Sequence, residues 1–86
     1  MSTTLSRLRR HIDEIDLKLL RLLNRRSALG IRIGEIKRKQ ALPVFDGRRE
    51  ERLLRRLSKA NRGSLSGAAL RAIFREILRH NRKLQK

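Results

Sequence analysis

Apolar side chains recur along the first half of the chain at Leu5, Leu8, Ile12, Ile15, Leu19, Leu22, Leu29, Ile33 and Ile36, alternating steps of three and four with one gap. That is the period of a helix face, not of a strand. The spacing predicts one long amphipathic helix from about residue 5 to 38, with Thr3 or Thr4 as its N-cap. The Arg38 to Pro43 stretch ends it, since Pro43 disfavours helical geometry at Leu42. A second helix is expected to begin near Asp46, a good N-cap, and to carry Leu53, Leu54 and Leu57 up to a stop at Asn61-Arg62-Gly63. A third starts after Ser64 or Ser66, with the stripe Leu70, Ile73, Phe74, Ile77 and Leu78 running towards Leu84. No strand pattern, repeat or low-complexity linker interrupts this order. The expected class is all-α, with one long and two short helices per chain.

Length turns that pattern into a statement about assembly. A chain of 86 residues with 38% apolar content forms one small domain over residues 1–86 and buries only part of its surface, so a lone monomer would be marginal. The first helix would be roughly 50 Å long at 1.5 Å per residue. A compact globule of this length has a radius of gyration of about 12 Å, so the remaining residues are too few to wrap the helix. An intertwined homodimer, with the long helices side by side and the short helices packed across both, would bury the seam. Two-fold symmetry would then give two equal sites, each open to residues of both chains. There is no cysteine, and His11 and His80 alone make a poor metal set, so neither disulfides nor a structural metal are expected. Met1 to Ser6 has no long apolar core, and no run approaches the ~18 apolar residues of a membrane span. The expected setting is the cytoplasm, without a membrane partner.

Charge is where the candidate chemistry begins. The chain carries 24 Lys plus Arg against 8 Asp plus Glu, a net +16 that attracts anions of any kind. Nucleic acid is one such anion, but aromatic residues make up 2%, both Phe, and the basic residues are spread over every segment. Stacking platforms and a focused footprint are both missing, which argues against specific nucleic-acid binding. Most of the arginines are read as solvated helix faces. A few interrupt the apolar stripes. Arg26 stands between Leu22 and Leu29 where the next core residue belongs, and Lys37, three turns further on, looks out from a similar face. Asp46, Arg49 and Glu50 extend the Leu53 and Leu57 stripe backwards, and Asn81 and Gln85 continue the Ile73 to Ile77 line at i+4 spacing. Each has a plainer reading: Arg26 bridged to a carboxylate, Asp46 as a helix cap only, Asn81 and Gln85 as a frayed terminus. Taken together, several charges on buried faces predict a polyanion pocket inside a helical bundle. The stripes do not name the ligand.

The segments "LRRHIDEIDLKLLRLLNRR", "IGEIK", "PVFDGRRE" and "IFREIL" resemble the small all-helical chorismate mutases over essentially the whole chain. The most specific elements are Pro43-Val44-x-Asp46-x-x-Arg49-Glu50, six residues after Lys37, and the Arg9 to Asp16 arrangement with Ile12-Asp13. The resemblance implies a homodimeric isomerase that rearranges chorismate to prephenate in the shikimate pathway to phenylalanine and tyrosine, with no metal or organic cofactor. Arg9 matches the arginine that the family contributes from the partner subunit, and Arg26, Lys37 and Arg49 match the resident cations that hold a dicarboxylate. Glu50, helped by the Asp46 region, matches the group that binds the substrate hydroxyl. Gln85 matches the side chain that, with Lys37, bonds the ether oxygen. Asn81 departs from the family's usual Ser, although an amide still donates to a carboxylate. The alternatives are a lyase releasing pyruvate from isochorismate on the same fold, a basic helical nucleic-acid protein, and an inactive or regulatory homologue. The Pro43 to Glu50 stretch favours the mutase over the lyase.

Overall fold

The computed structural model describes residues 3–86; Met1 and Ser2, part of the amino-terminal stretch read above for export signals, lie outside the described residues. Three helices follow one another: α1 (Thr4–Lys39), α2 (Gly47–Ala60) and α3 (Gly67–Gln85). Each begins at a side-chain cap that satisfies one of the amides left free at a helix start. Thr3 accepts from the Ser6 amide at 3.0 Å, Asp46 from Arg49 at 3.1 Å and Ser66 from Ala69 at 3.0 Å. No described helix is long and apolar enough to cross a membrane.

α1 ends at Lys39, inside the expected Arg38 to Pro43 stretch. Ala41 takes the left-handed conformation at φ 55°, and two bonds close the end, Leu42 N–H to the Lys37 carbonyl at 2.8 Å and Ala41 N–H to Arg38 at 3.3 Å. This is the Schellman arrangement, in which a positive-φ residue satisfies the last carbonyls. The helix has therefore already turned before Pro43. The turn aims Val44 back at the end of α1, where the Lys37 ammonium takes its carbonyl at 2.9 Å.

α3 packs against both other helices, whereas the backbones of α1 and α2 stand apart. The result is long and thin. Its extents are 59 × 24 × 16 Å and its radius of gyration is 16.6 Å, well beyond the ~12 Å of a globule this size. The buried apolar core of the described residues is Leu54, Leu70 and Leu78. Along α1, by contrast, Leu5, Leu8, Ile12, Ile15, Leu19 and Leu22 are each more than half exposed. The stripe that specifies α1 is thus almost entirely uncovered by its own chain.

Candidate active site

Two glycines decide how α3 meets α1. Gly30 and Gly34, one turn apart, are the buried residues of α1. Asn81 lies over Gly30 and Gln85 over Gly34, so the two helices run the same way at this contact. A Cβ on Gly30 would overlap the Asn81 amide, and one on Gly34 would lie 2.8 Å from the Gln85 Cα. Missing side chains on α1 therefore let the last turns of α3 settle against its backbone. Gln85, next to the carboxyl terminus, is only 4% exposed. Its backbone carbonyl accepts from Arg38 Nη1 at 3.0 Å and its side-chain Oε1 from Lys37 Nζ at 3.0 Å. A frayed terminus does not describe it. The Lys37 bond also fixes which end of the amide is the acceptor and leaves Nε2 as the donor.

A cleft of about 380 Å³ opens between α1 and α2, with Asn81, Arg82 and Gln85 of α3 along it. Leu29, Ile33 and Leu53 supply apolar wall. The charged lining is Arg26, Lys37, Arg49 and Arg82 against Asp46 and Glu50. Both carboxylates are already engaged. Asp46 caps α2, and Glu50 pairs with Arg82, whose Nη1 lies 2.6 Å from each carboxylate oxygen. Arg26 and Arg49 have no side-chain hydrogen bond or ion pair among the described residues. Arg26 is half-buried and Arg49 exposed, and a half-buried cation with no counter-ion is the state expected of a group that accommodates an anion. The Asn81 Oδ1 atom is buried without a partner.

Seven of the eight residues expected at the site line this one cleft: Arg26, Lys37, Asp46, Arg49, Glu50, Asn81 and Gln85. Arg9 does not. It is exposed, seventeen residues before Arg26 on the same helix and so about 26 Å away along the axis. On the exposed surface of α3, outside the cleft, the hydrogen bond and charge of Arg79 hold the Glu76 carboxyl below its usual range.

The chorismate mutase type II family profile matches residues 8–86, nearly the entire chain. The chain belongs to the chorismate mutase type II family. A chorismate mutase of Methanocaldococcus jannaschii is 33% identical over 87 aligned residues, covering 100% of this chain and 88% of that protein. A bifunctional chorismate mutase/prephenate dehydratase of Aquifex aeolicus is 42% identical over 86% of this chain, which spans only 22% of that longer protein. Among solved structures, the chorismate mutase of Thermus thermophilus superposes with a TM-score of 0.95 at 31% identity, covering 96% of this chain and 94% of that one. The Helicobacter pylori chorismate mutase, solved in complex with prephenate, gives 0.89 at 33% identity over 98% and 91%. The three-helix, all-α chorismate mutase fold read from the sequence is thus the fold observed.

Three elements of the cleft escaped the sequence reading. Arg82 ends a second i+4 line, Leu70, Phe74, Leu78, Arg82, which runs beside the Ile73 to Gln85 line and turns polar at the same level. Following both lines of α3 finds it. Gly30 and Gly34 carried their own signal, two glycines at i+4 spacing inside a strong helix, where each costs ~1 kcal/mol relative to Ala unless a close approach requires it. The Val44 carbonyl left no trace in side-chain chemistry.

Proposed function

We propose that this chain, a single domain over residues 1–86, catalyses the intramolecular rearrangement of chorismate to prephenate in aromatic amino acid biosynthesis in the cytoplasm. The observation that carries the reading is one cleft in which unpaired arginines face a lysine and an amide already hydrogen-bonded to each other. The reaction breaks one carbon–oxygen bond and forms one carbon–carbon bond within the same molecule, so it needs no nucleophile, proton transfer or covalent intermediate. Catalysis reduces to folding the substrate into its reactive conformer and stabilising charge that develops on the ether oxygen. Arg26 and Arg49 suit the first task, because guanidinium forks grip carboxylates bidentately and stay charged. Lys37 Nζ and Gln85 Nε2 suit the second. Held in place by Val44 and Gly34 before the reaction, these donors need no reorganisation as the oxygen becomes negative, and losing one such donor typically costs about 10²–10³ in rate. Glu50 accepts the substrate hydroxyl, and Asn81 donates to a carboxylate. Asp46 contributes by starting α2 where Arg49 and Glu50 face the cleft.

The functional unit in this proposal is a homodimer, with Arg9 delivered to each cleft from the partner. The support is the uncovered α1 stripe: covering a half-exposed Leu or Ile contributes about 1 kcal/mol, so the stripe as a whole is worth ~10 kcal/mol to a second copy. Arg9, too far from its own cleft, lies on the same exposed half of α1. The experiment that tests the activity is loss of chorismate absorbance with the product identified as prephenate. Release of pyruvate, or no turnover, would overturn the assignment.

A further inference from the structure

Of the four cations along the cleft, Arg82 alone already holds a carboxylate. Its Nη1 lies 2.6 Å from both Oε1 and Oε2 of Glu50, and its guanidinium carbon sits 5.2 Å from the centroid of the Phe45 ring. Three elements meet at this stack: Phe45 from the loop after α1, Glu50 from the first turn of α2, and Arg82 from the last turns of α3. The Arg82 and Glu50 side chains are 30% and 22% exposed, dry enough for the pair to be stronger than a surface bridge and wet enough for the outer lone pairs of Glu50 to remain reachable.

We propose that Arg82 is a positioning residue that sequesters Glu50 from the substrate-binding cations. The reason is charge competition inside one small cleft. Glu50 shares the cavity with Arg26, Lys37 and Arg49, and an ionised carboxylate there is attracted to each of them. A Glu50 that swung onto Arg49 or Arg26 would neutralise the fork meant for a substrate carboxylate and remove the acceptor meant for the substrate hydroxyl. Arg82, anchored on Phe45, takes the inner lone pairs of both oxygens and points the outer ones into the cleft. One arginine thereby keeps a negative group in a site built for a dianion without that group binding the site's own cations. The inference rests on the mutase reading of the cleft.

The test is a pair of variants read in two Glu50 backgrounds, with steady-state kinetics on chorismate and calorimetric titration of prephenate. R82M should raise KM about tenfold and weaken prephenate by a similar factor, with a smaller change in kcat. R82K, which keeps a charged nitrogen for Glu50, should stay within a few-fold of the parent chain. In an E50Q background, where the amide has no charge to compete with substrate, R82M should leave KM and prephenate affinity where E50Q alone puts them. A merely structural arginine behaves differently: R82M would weaken binding by the same factor in both backgrounds, and that additive result would overturn the proposal. So would an unchanged KM accompanied only by a lower melting temperature. R82Q supplies the same comparison should R82M fail to fold. Absence of mutase activity in the parent chain would instead sink the proposed function, and the prephenate titrations would still report whether Arg82 guards the cations.

Discussion

Replacing Gly34 with alanine is expected to damage catalysis while leaving the chemistry of every site residue untouched. The added Cβ would lie 2.8 Å from the Gln85 Cα and 3.1 Å from its Cβ and carbonyl oxygen. Comfortable carbon–carbon contact is about 3.5–4.0 Å, so the last turn of α3 has to move away by about 0.7–1.2 Å. Two of the three obstructing atoms are backbone, so no rotamer change relieves the overlap. The displacement stretches the 3.0 Å bonds from Lys37 and Arg38 to Gln85 and carries the amide off its target. A misplacement of about 1 Å costs on the order of 10²-fold in rate. Stability moves by two opposing amounts: alanine stabilises a helix interior by about 1 kcal/mol over glycine, and forced overpacking costs about 1–3 kcal/mol. The melting temperature should therefore fall only modestly while kcat falls steeply. Initial rates at saturating chorismate, with circular dichroism melts on the same preparations, separate the two. A variant with unchanged kcat and a higher melting temperature would refute the idea that Gly34 exists to seat Gln85.

Gln85→Glu places a carboxylate beside Lys37 and the ether oxygen; it should be nearly inactive at neutral pH and recover as pH falls, because only the protonated acid donates a hydrogen bond. A wild-type pH–rate profile with full kcat would remove Gln85 from the site. Ala41→Gly should raise stability by about 0.5–1 kcal/mol in denaturant melts, since the φ of 55° that closes α1 suits glycine better than a residue with a Cβ; destabilisation would mean that the turn is not strained. Sedimentation should give twice the chain mass, because the stripe from Leu5 to Leu22 is exposed in the single chain. Ile15→Asp at the middle of that stripe should drive the chain towards unfolded monomer.

The helices were legible because their stripes and caps are local signals. Thr3, Asp46 and Ser66 each sit one residue before a helix and bond an amide three residues on, which is pattern enough to mark a start. Most of the cleft was legible for the opposite reason: Arg26, Glu50 and Gln85 violate the stripe they stand in, and a charge or amide on a buried face calls for a partner. What stayed hidden depends on relations between helices. Nothing along the sequence says that Glu50 finds Arg82 thirty-two residues away or that Gly34 lies under Gln85. These are settled by how α3 lies across the other two helices. The two-subunit site proposed above would add a further step, because Arg9 lies outside the cleft of its own chain.

Mixing two inactive variants tests the shared site most directly. Arg9→Ala spoils the residue lent to the partner, and Arg26→Ala spoils the resident cleft, so each homodimer should have no intact site. Random exchange makes half the dimers hybrid, and each hybrid joins one wild-type Arg9 to one wild-type Arg26, so the mixture should form prephenate at about a quarter of the wild-type rate. No recovery, with subunit exchange demonstrated by differently tagged chains, would contradict a site assembled from two subunits.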